Sequence, residues 1–183
     1  MPRGAPDRAR NLDGSLERLL ASIVLPSCRD TVAQVRTYLL KQNADMGNRN
    51  NVYGILKTGT SRDVVSVWVG PSFDSGPTES HFYLDSGSRL SFGITLRESN
   101  SRCSLIAYRF QLNLPEAQSP SFYRFDLNDK AHDFPLFEPR CHLHPSSDEV
   151  RLPIHPLTPL EVLDRIFLVI EPQLVAGSMQ TES

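Results

Sequence analysis

The sequence predicts an α+β domain: two N-terminal helices, a mostly antiparallel sheet of five to six strands, and a C-terminal helix, with the helices packed on one sheet face. Three observations carry that expectation. Apolar residues recur at helical spacing near the start of the chain. From residue 64 the period changes to two, in short β-branched and aromatic runs separated by Gly, Pro, Ser and Asp. Near the end, Thr158-Pro159-Leu160-Glu161 carries the signature of a helix start.

Residues 1–11 mix Arg, Pro, Gly and Ala without periodicity and are expected to form a flexible arm, as are residues 173–183 at the other end. A single domain is expected over residues 12–172. Leu12, Leu16, Leu19, Leu20, Ile23 and Val24 fall three or four apart, so they share one stripe of a first helix that Pro26 stops. Ser27 or Asp30 can cap a second, in which Val32, Val35, Leu39 and Leu40 repeat the spacing until Gly47 and the Asn-rich stretch after it.

The strands follow. "VVSVWVG" (64–70), "SHFYLDSG" (80–87) and "RLSFGITLRE" (89–98) are the first three, and Gly87-Ser88 suits a tight hairpin between the last two. Leu90, Phe92, Ile94 and Leu96 alternate with polar or small residues, and Ile106, Tyr108, Phe110, Leu112 and Leu114 do the same in "CSLIAYRFQLNL". That is the pattern of a sheet covered on one side. "FYRFDLN" and "PRCHLHP" supply two further strands. Pro159 suits the first position of the last helix, Thr158 and Glu161 can form a capping box, and Pro172 is expected to end it.

Composition narrows the function classes. A chain of 183 residues with 39% hydrophobic and 22% charged residues can bury one core, and nowhere do eighteen apolar residues run together. No membrane association is expected. The basic start lacks the apolar core of a secretory signal, so the expected location is cytoplasmic. Three widely spaced cysteines, Cys28, Cys103 and Cys141, form neither a zinc ribbon nor a disulfide framework and are expected to be reduced. A net charge of −2 argues against general electrostatic coating of nucleic acid, while leaving room for a local arginine cluster that holds one phosphate.

If the alternation holds, the polar sheet face gathers Arg97, Arg109, Arg124 with Asp126, and His142 with His144. Each pair two apart in a strand projects to the same side, about 6.5 Å apart. Arginine offers a fixed fork of donors to phosphate, and histidine moves protons near neutral pH, the two requirements of metal-free RNA cleavage. The bland alternative is an outer face that is merely polar. A metal site is a further alternative, with His142 and His144 sharing an ion and His132, Asp126 or His155 as third ligand. Cys141 should point to the opposite, apolar face, and Trp68, Phe122, Tyr123 and Phe125 are read as mostly core. No Gly-rich phosphate loop, dinucleotide fingerprint or nucleophile elbow is present, and the leading reading requires no cofactor.

Residues 120–170, with "FYRFDLN", a following His, "CHLHP" and "PLTPLEVLDRI", resemble the C-terminal half of TumE-type proteins, the toxin-like partners in some bacterial toxin–antitoxin pairs. The resemblance implies a small cytoplasmic bacterial protein with activity toward RNA, and points to Arg124, Asp126, His132, His142 and His144. The general plan also resembles RelE-like and barnase-like ribonucleases, at the level of fold alone.

The expectation that follows is a toxin-type, metal-independent endoribonuclease-like protein. His142 or His144 would act as general base or acid, Asp126 would orient a histidine or an arginine, and Arg124, Arg109, Arg97 and His132 would hold an RNA substrate. Against it stands a non-enzymatic accessory or immunity-type module that uses a sheet edge or the "PSFDSGPTES" loop to hold an antitoxin-like or other protein partner.

Overall fold

The computed structural model describes residues 18–21, 23–70, 80–100, 102–116, 118–130 and 139–180. Within them the chain is α+β with one antiparallel sheet, as its sequence predicts. The segment expected as the first helix is helical at 18–21 but not at 23–26, where Val24 is exposed and Leu25 instead bridges to Cys103, so the helix ends before the expected stop at Pro26. The expected arm and residues 12–17 lie outside the described residues.

Helix α1 spans Cys28–Asp45, and Ser27 caps it by accepting a hydrogen bond from the Asp30 backbone N–H. A single turn, α2, follows at Val52–Ile55. The Asn-rich stretch between them, expected only to end a helix, builds a buried bridge. Asn50 donates to the Tyr83 carbonyl and accepts from the Tyr83 N–H at 2.9 and 2.8 Å. It thus stands in for a neighbouring strand, and Asn43 holds it in place through the Asn50 backbone.

Eight strands make the sheet, two more than the largest number expected: β1 (Lys57–Ser61), β2 (Val64–Val69), β3 (Phe82–Tyr83), β4 (Arg89–Ser99), β5 (Arg102–Asn113), β6 (Phe122–Leu127), β7 (Cys141–Pro145) and β8 (Leu152–Pro153). Their spatial order is β1-β2-β4-β5-β6-β7-β8, with β3 also paired to β4. The additional strands are β1, a "KTGTS" run with no apolar alternation, and β8, only two residues long. Neither carries a periodic signal, because each is an edge strand recruited by its neighbour. The hairpin at Gly87 closes as expected, with the Leu84 N–H donating to the Ser88 carbonyl and Gly87 at φ +83°.

Leu90, Phe92, Ile94 and Leu96 of β4 and Tyr108, Phe110 and Leu112 of β5 are buried in one core with Val35 and Leu39 of α1. A bulge alters the expected alternation in β5. Thr95 pairs with Ala107 and Leu96 with Leu105, so Ile106 is the extra residue and Cys103 and Leu105 join the apolar face. Cys141 is in the core, as expected.

The C-terminal helix begins at α3 (Pro159–Asp164) with the full capping box on Thr158 and Glu161. It does not stop at Pro172. A π-helical segment, Arg165–Ile170, leads into α4 (Glu171–Gln180), inside the stretch expected to be a tail. The wider turn absorbs the proline, whose missing N–H falls within the first turn of α4. Glu171, buried, accepts from the Ser86 N–H and hydroxyl at 2.8 and 2.7 Å, tying this joint to the β3–β4 hairpin. Phe167 packs edge-on against Phe82 at 5.6 Å.

Candidate functional site

The face of the sheet turned away from this core carries the polar residues. Antiparallel register sets Asp126 of β6 directly between Arg109 of β5 and His142 of β7, and Arg124 directly between Gln111 and His144. Five of the seven residues singled out from sequence therefore meet. Arg97 does not: it lies toward the far end of β4, where its Nε is 3.3 Å from Asp63 in the β1–β2 turn. His132 lies outside the described residues, as do positions 71–79 of the "PSFDSGPTES" loop.

Asp126 is the hub. Its Oδ1 accepts from Arg109 Nε at 3.2 Å and its Oδ2 from Arg124 Nε at 2.8 Å. The Nε2 atoms of His142 and His144 stand 3.7 and 3.4 Å from the same Oδ2. The two imidazoles meet edge to face, with ring centroids 4.7 Å apart. Arg124 also pairs with Asp148, which it holds below the usual carboxylate range.

This part of the polar face is not solvated. Side-chain exposure is 3% for Asp126, 2% for His142 and 1% for His144, against 46% for Arg109. Strand β7 is an inner strand paired with β8, and the turns at its two ends fold back onto the imidazoles. His144-Pro145 is extended, as a residue before proline prefers, and Ser146 then turns with φ +65°. That turn returns the Ser147 carbonyl to His144, whose Nδ1 donates to it at 3.0 Å. At the start of β7 the Pro139 carbonyl accepts from His142 Nδ1 at 2.6 Å.

Both Nδ1 positions must carry the proton, because a carbonyl only accepts. In the neutral rings the two Nε2 lone pairs therefore converge on the carboxylate, and His144 Nε2 is a buried nitrogen with no hydrogen-bond partner. Burial holds the His142 imidazole below its ordinary value, which favours the neutral ring there. The two arginines offset the charges of Asp126 and Asp148, so two neutral imidazoles leave the cluster without net charge.

This polarity discriminates between chemistries. A catalytic base keeps Nε2 free for substrate and spends Nδ1–H on a carboxylate; here Nδ1–H is spent on backbone and Nε2 faces the carboxylate. Metal-ligating histidines show the arrangement seen here, with the remote N–H fixed by a carbonyl. One ligand atom from each of Asp126, His142 and His144 lies within 4.8 Å of the other two. Donors about 2.0–2.1 Å from a tetrahedral zinc ion are separated by roughly 3.3 Å, close to the 3.4 and 3.7 Å found.

Beside the cluster the sheet is concave. A cavity of about 1240 Å³ is bordered by Trp68, His81, Arg109, Gln111, Asn113 and Asp126, so Arg109 and Asp126 link it to the cluster. Trp68, expected in the core, lies on this face instead: Val67 and Val69 take the buried positions and β2 alternates around them. His81 was not singled out from sequence, since a lone histidine next to a two-residue strand gives no signal. Its Nδ1 is buried without a partner, and burial, then Arg89, lowers its pKa.

No helix among the described residues is long and apolar enough to cross a membrane. Comparison with family models, curated proteins and solved structures gives no match.

Proposed function

We propose that the protein binds a divalent transition metal through His142, His144 and Asp126, and that the adjacent concave face takes an anionic substrate. The observation that carries this reading is the orientation of the imidazoles, with both Nδ1–H groups committed to backbone carbonyls and both Nε2 atoms turned to one carboxylate oxygen. Two nitrogens and one oxygen favour zinc or ferrous iron over magnesium or calcium, and three protein donors leave room for water or substrate. Arg109 and Arg124 orient Asp126, one guanidinium on each carboxylate oxygen. They also leave a bound divalent ion with excess positive charge, which an anionic ligand held by Arg109 balances. RNA is the substrate class suggested by the resemblance to TumE-type proteins.

The test is metal analysis of protein purified without a histidine tag and incubated with one equivalent of zinc before desalting. About one equivalent should be retained, and His142→Ala with His144→Ala should retain none. Retention below a tenth of an equivalent by the native chain removes the reading.

The second reading is metal-independent cleavage of RNA by the same residues, favoured by the exposure of Arg109 toward a cavity large enough for a nucleotide. Chelation separates the two. Cleavage that survives EDTA and is abolished in the double histidine variant supports the second reading, whereas cleavage lost to EDTA and restored by zinc supports the first.

A further inference from the structure

A second pair of side chains, on the opposite side of the sheet from the metal-type cluster, is placed for covalent chemistry. Cys28 is the first residue of α1 and Cys103 lies near the start of β5, and both are buried. Their sulfurs are 2.7 Å apart across 75 residues of chain. That is shorter than the ~3.5–4.0 Å of ordinary heavy-atom contact and longer than the roughly 2.05 Å of a bonded pair. The backbones are already held together: Leu25, three residues before Cys28, forms an isolated antiparallel bridge with Cys103 itself. Closing the gap needs a side-chain adjustment of well under an ångström, with no change of fold. Cys141 is engaged elsewhere, its sulfur 3.6 Å from the Tyr108 hydroxyl, so the pairing has one solution.

We propose that Cys28 and Cys103 form a disulfide that cross-links the N-terminal helix to the sheet when the chain folds in the presence of a low-molecular-weight disulfide such as oxidised glutathione. One protein thiolate attacks a sulfur of the oxidised glutathione and expels a glutathione thiolate, which takes up the proton released by the protein thiol. The second protein thiol, once deprotonated, attacks the mixed disulfide and expels the second glutathione thiolate, which takes up its proton. Two S–H bonds and one S–S bond are broken, one protein S–S bond and two glutathione S–H bonds form, and the protein pair is oxidised by two electrons while glutathione disulfide is reduced.

In the folded reduced chain the reaction is slow. Burial, reinforced by Cys103, pushes the Cys28 thiol up to about 12, so almost no thiolate is present at neutral pH and access is closed. The bond therefore forms during folding, and once formed it is sheltered. Because it closes a long loop, it restricts the unfolded chain strongly. This qualifies the expectation of three reduced cysteines: they are reduced in a reducing compartment, and two of them pair in an oxidising one.

The experiment is to refold the full chain in an oxidised/reduced glutathione buffer, alkylate it under denaturing conditions, and measure the intact mass. The native chain should carry one alkyl group, on Cys141, and have lost the mass of two hydrogens. Digestion should give a linked peptide pair containing Cys28 and Cys103 that separates on reduction. Cys141→Ser should keep the link, and Cys28→Ser and Cys103→Ser should each lose it. The oxidised native chain should melt several degrees above its reduced form, while Cys28→Ser should melt at the same temperature with or without reductant. Three alkylated cysteines in the refolded native chain, or a link that includes Cys141, overturns the proposal.

Discussion

His144 Nε2 lies 3.4 Å from Asp126 Oδ2 while the opposite ring nitrogen, Nδ1, donates to the Ser147 carbonyl. The ring is thus fixed by backbone on one side and presents its remaining nitrogen to a carboxylate on the other. With His142 held the same way by Pro139, two imidazoles and one carboxylate are preorganised before any ligand arrives.

Asp126 is the counter-ion of Arg124, whose side chain is only 13% exposed. Asp126→Asn removes that charge while keeping the shape, and leaves a largely buried guanidinium with the exposed Asp148 as its sole carboxylate partner among the described residues. Urea denaturation at neutral pH should show a loss of about 3 kcal/mol, the cost of breaking a buried pair from one side. A loss under half of that would show that Asp126 does not pair with Arg124 as described.

The two arginines should separate stability from binding. Arg109 is nearly half exposed, so Arg109→Gln is expected to change stability by less than about 1 kcal/mol. The same variant should weaken retention of a short RNA by the zinc-loaded protein in a filter-binding assay several-fold. Arg124→Gln should show the reverse emphasis, a larger stability loss because Arg124 is partly buried between two carboxylates.

His81 predicts an acid-side loss of stability. Burial, then Arg89, depresses its pKa in the folded chain, so between the ordinary value near 6.5 and the lower folded value the unfolded chain binds the extra proton. Its contribution is full above the unfolded pKa and is lost as pH falls toward the folded one. His142 shifts in the same direction and adds to the slope. His81→Gln should therefore lose less stability than the native chain between neutral pH and pH about 5, with a residual slope. Equal slopes in parallel urea melts would remove His81 as a contributor.

Glu171 joins the π-helical segment and α4 to the hairpin at Ser86 through two hydrogen bonds. Glu171→Ala should cost about 2 kcal/mol, in the range of hydrogen bonds to a charged acceptor. Amide exchange at Ser86 should accelerate in the variant while exchange in the β4–β5 centre follows only the global loss. Unchanged exchange at Ser86 would contradict the contact.

The sequence made the two faces of the sheet legible because alternation in β4 and β6 is a local property: Leu90, Phe92, Ile94, Tyr123 and Phe125 must share a side, and Arg124 and Asp126 the other. The cap at Thr158 was legible for the same reason. Which polar residues become neighbours was not, because register is a tertiary outcome; it placed Arg97 near Asp63 and brought Arg109 to Asp126. Burial of His142 and His144 was also hidden. A polar residue on an alternating strand normally faces water, and here the turns at Pro139 and Ser147, too short to carry a pattern, fold onto the two imidazoles. The continuation of the helix through Pro172 depends on a π-turn that no propensity signals.

The most direct test of the central claim is a ¹H–¹⁵N correlation spectrum of the histidine rings in metal-free protein at neutral pH, followed by addition of one equivalent of zinc. His142 and His144 should each carry a ring proton on Nδ1, hydrogen-bonded to the Pro139 and Ser147 carbonyls, and the Nε2 resonances of both should shift together on zinc addition and stay unchanged in Asp126→Ala at the same zinc level. An unprotonated Nδ1 on either ring, or Nε2 resonances indifferent to zinc in the native chain, would contradict this arrangement.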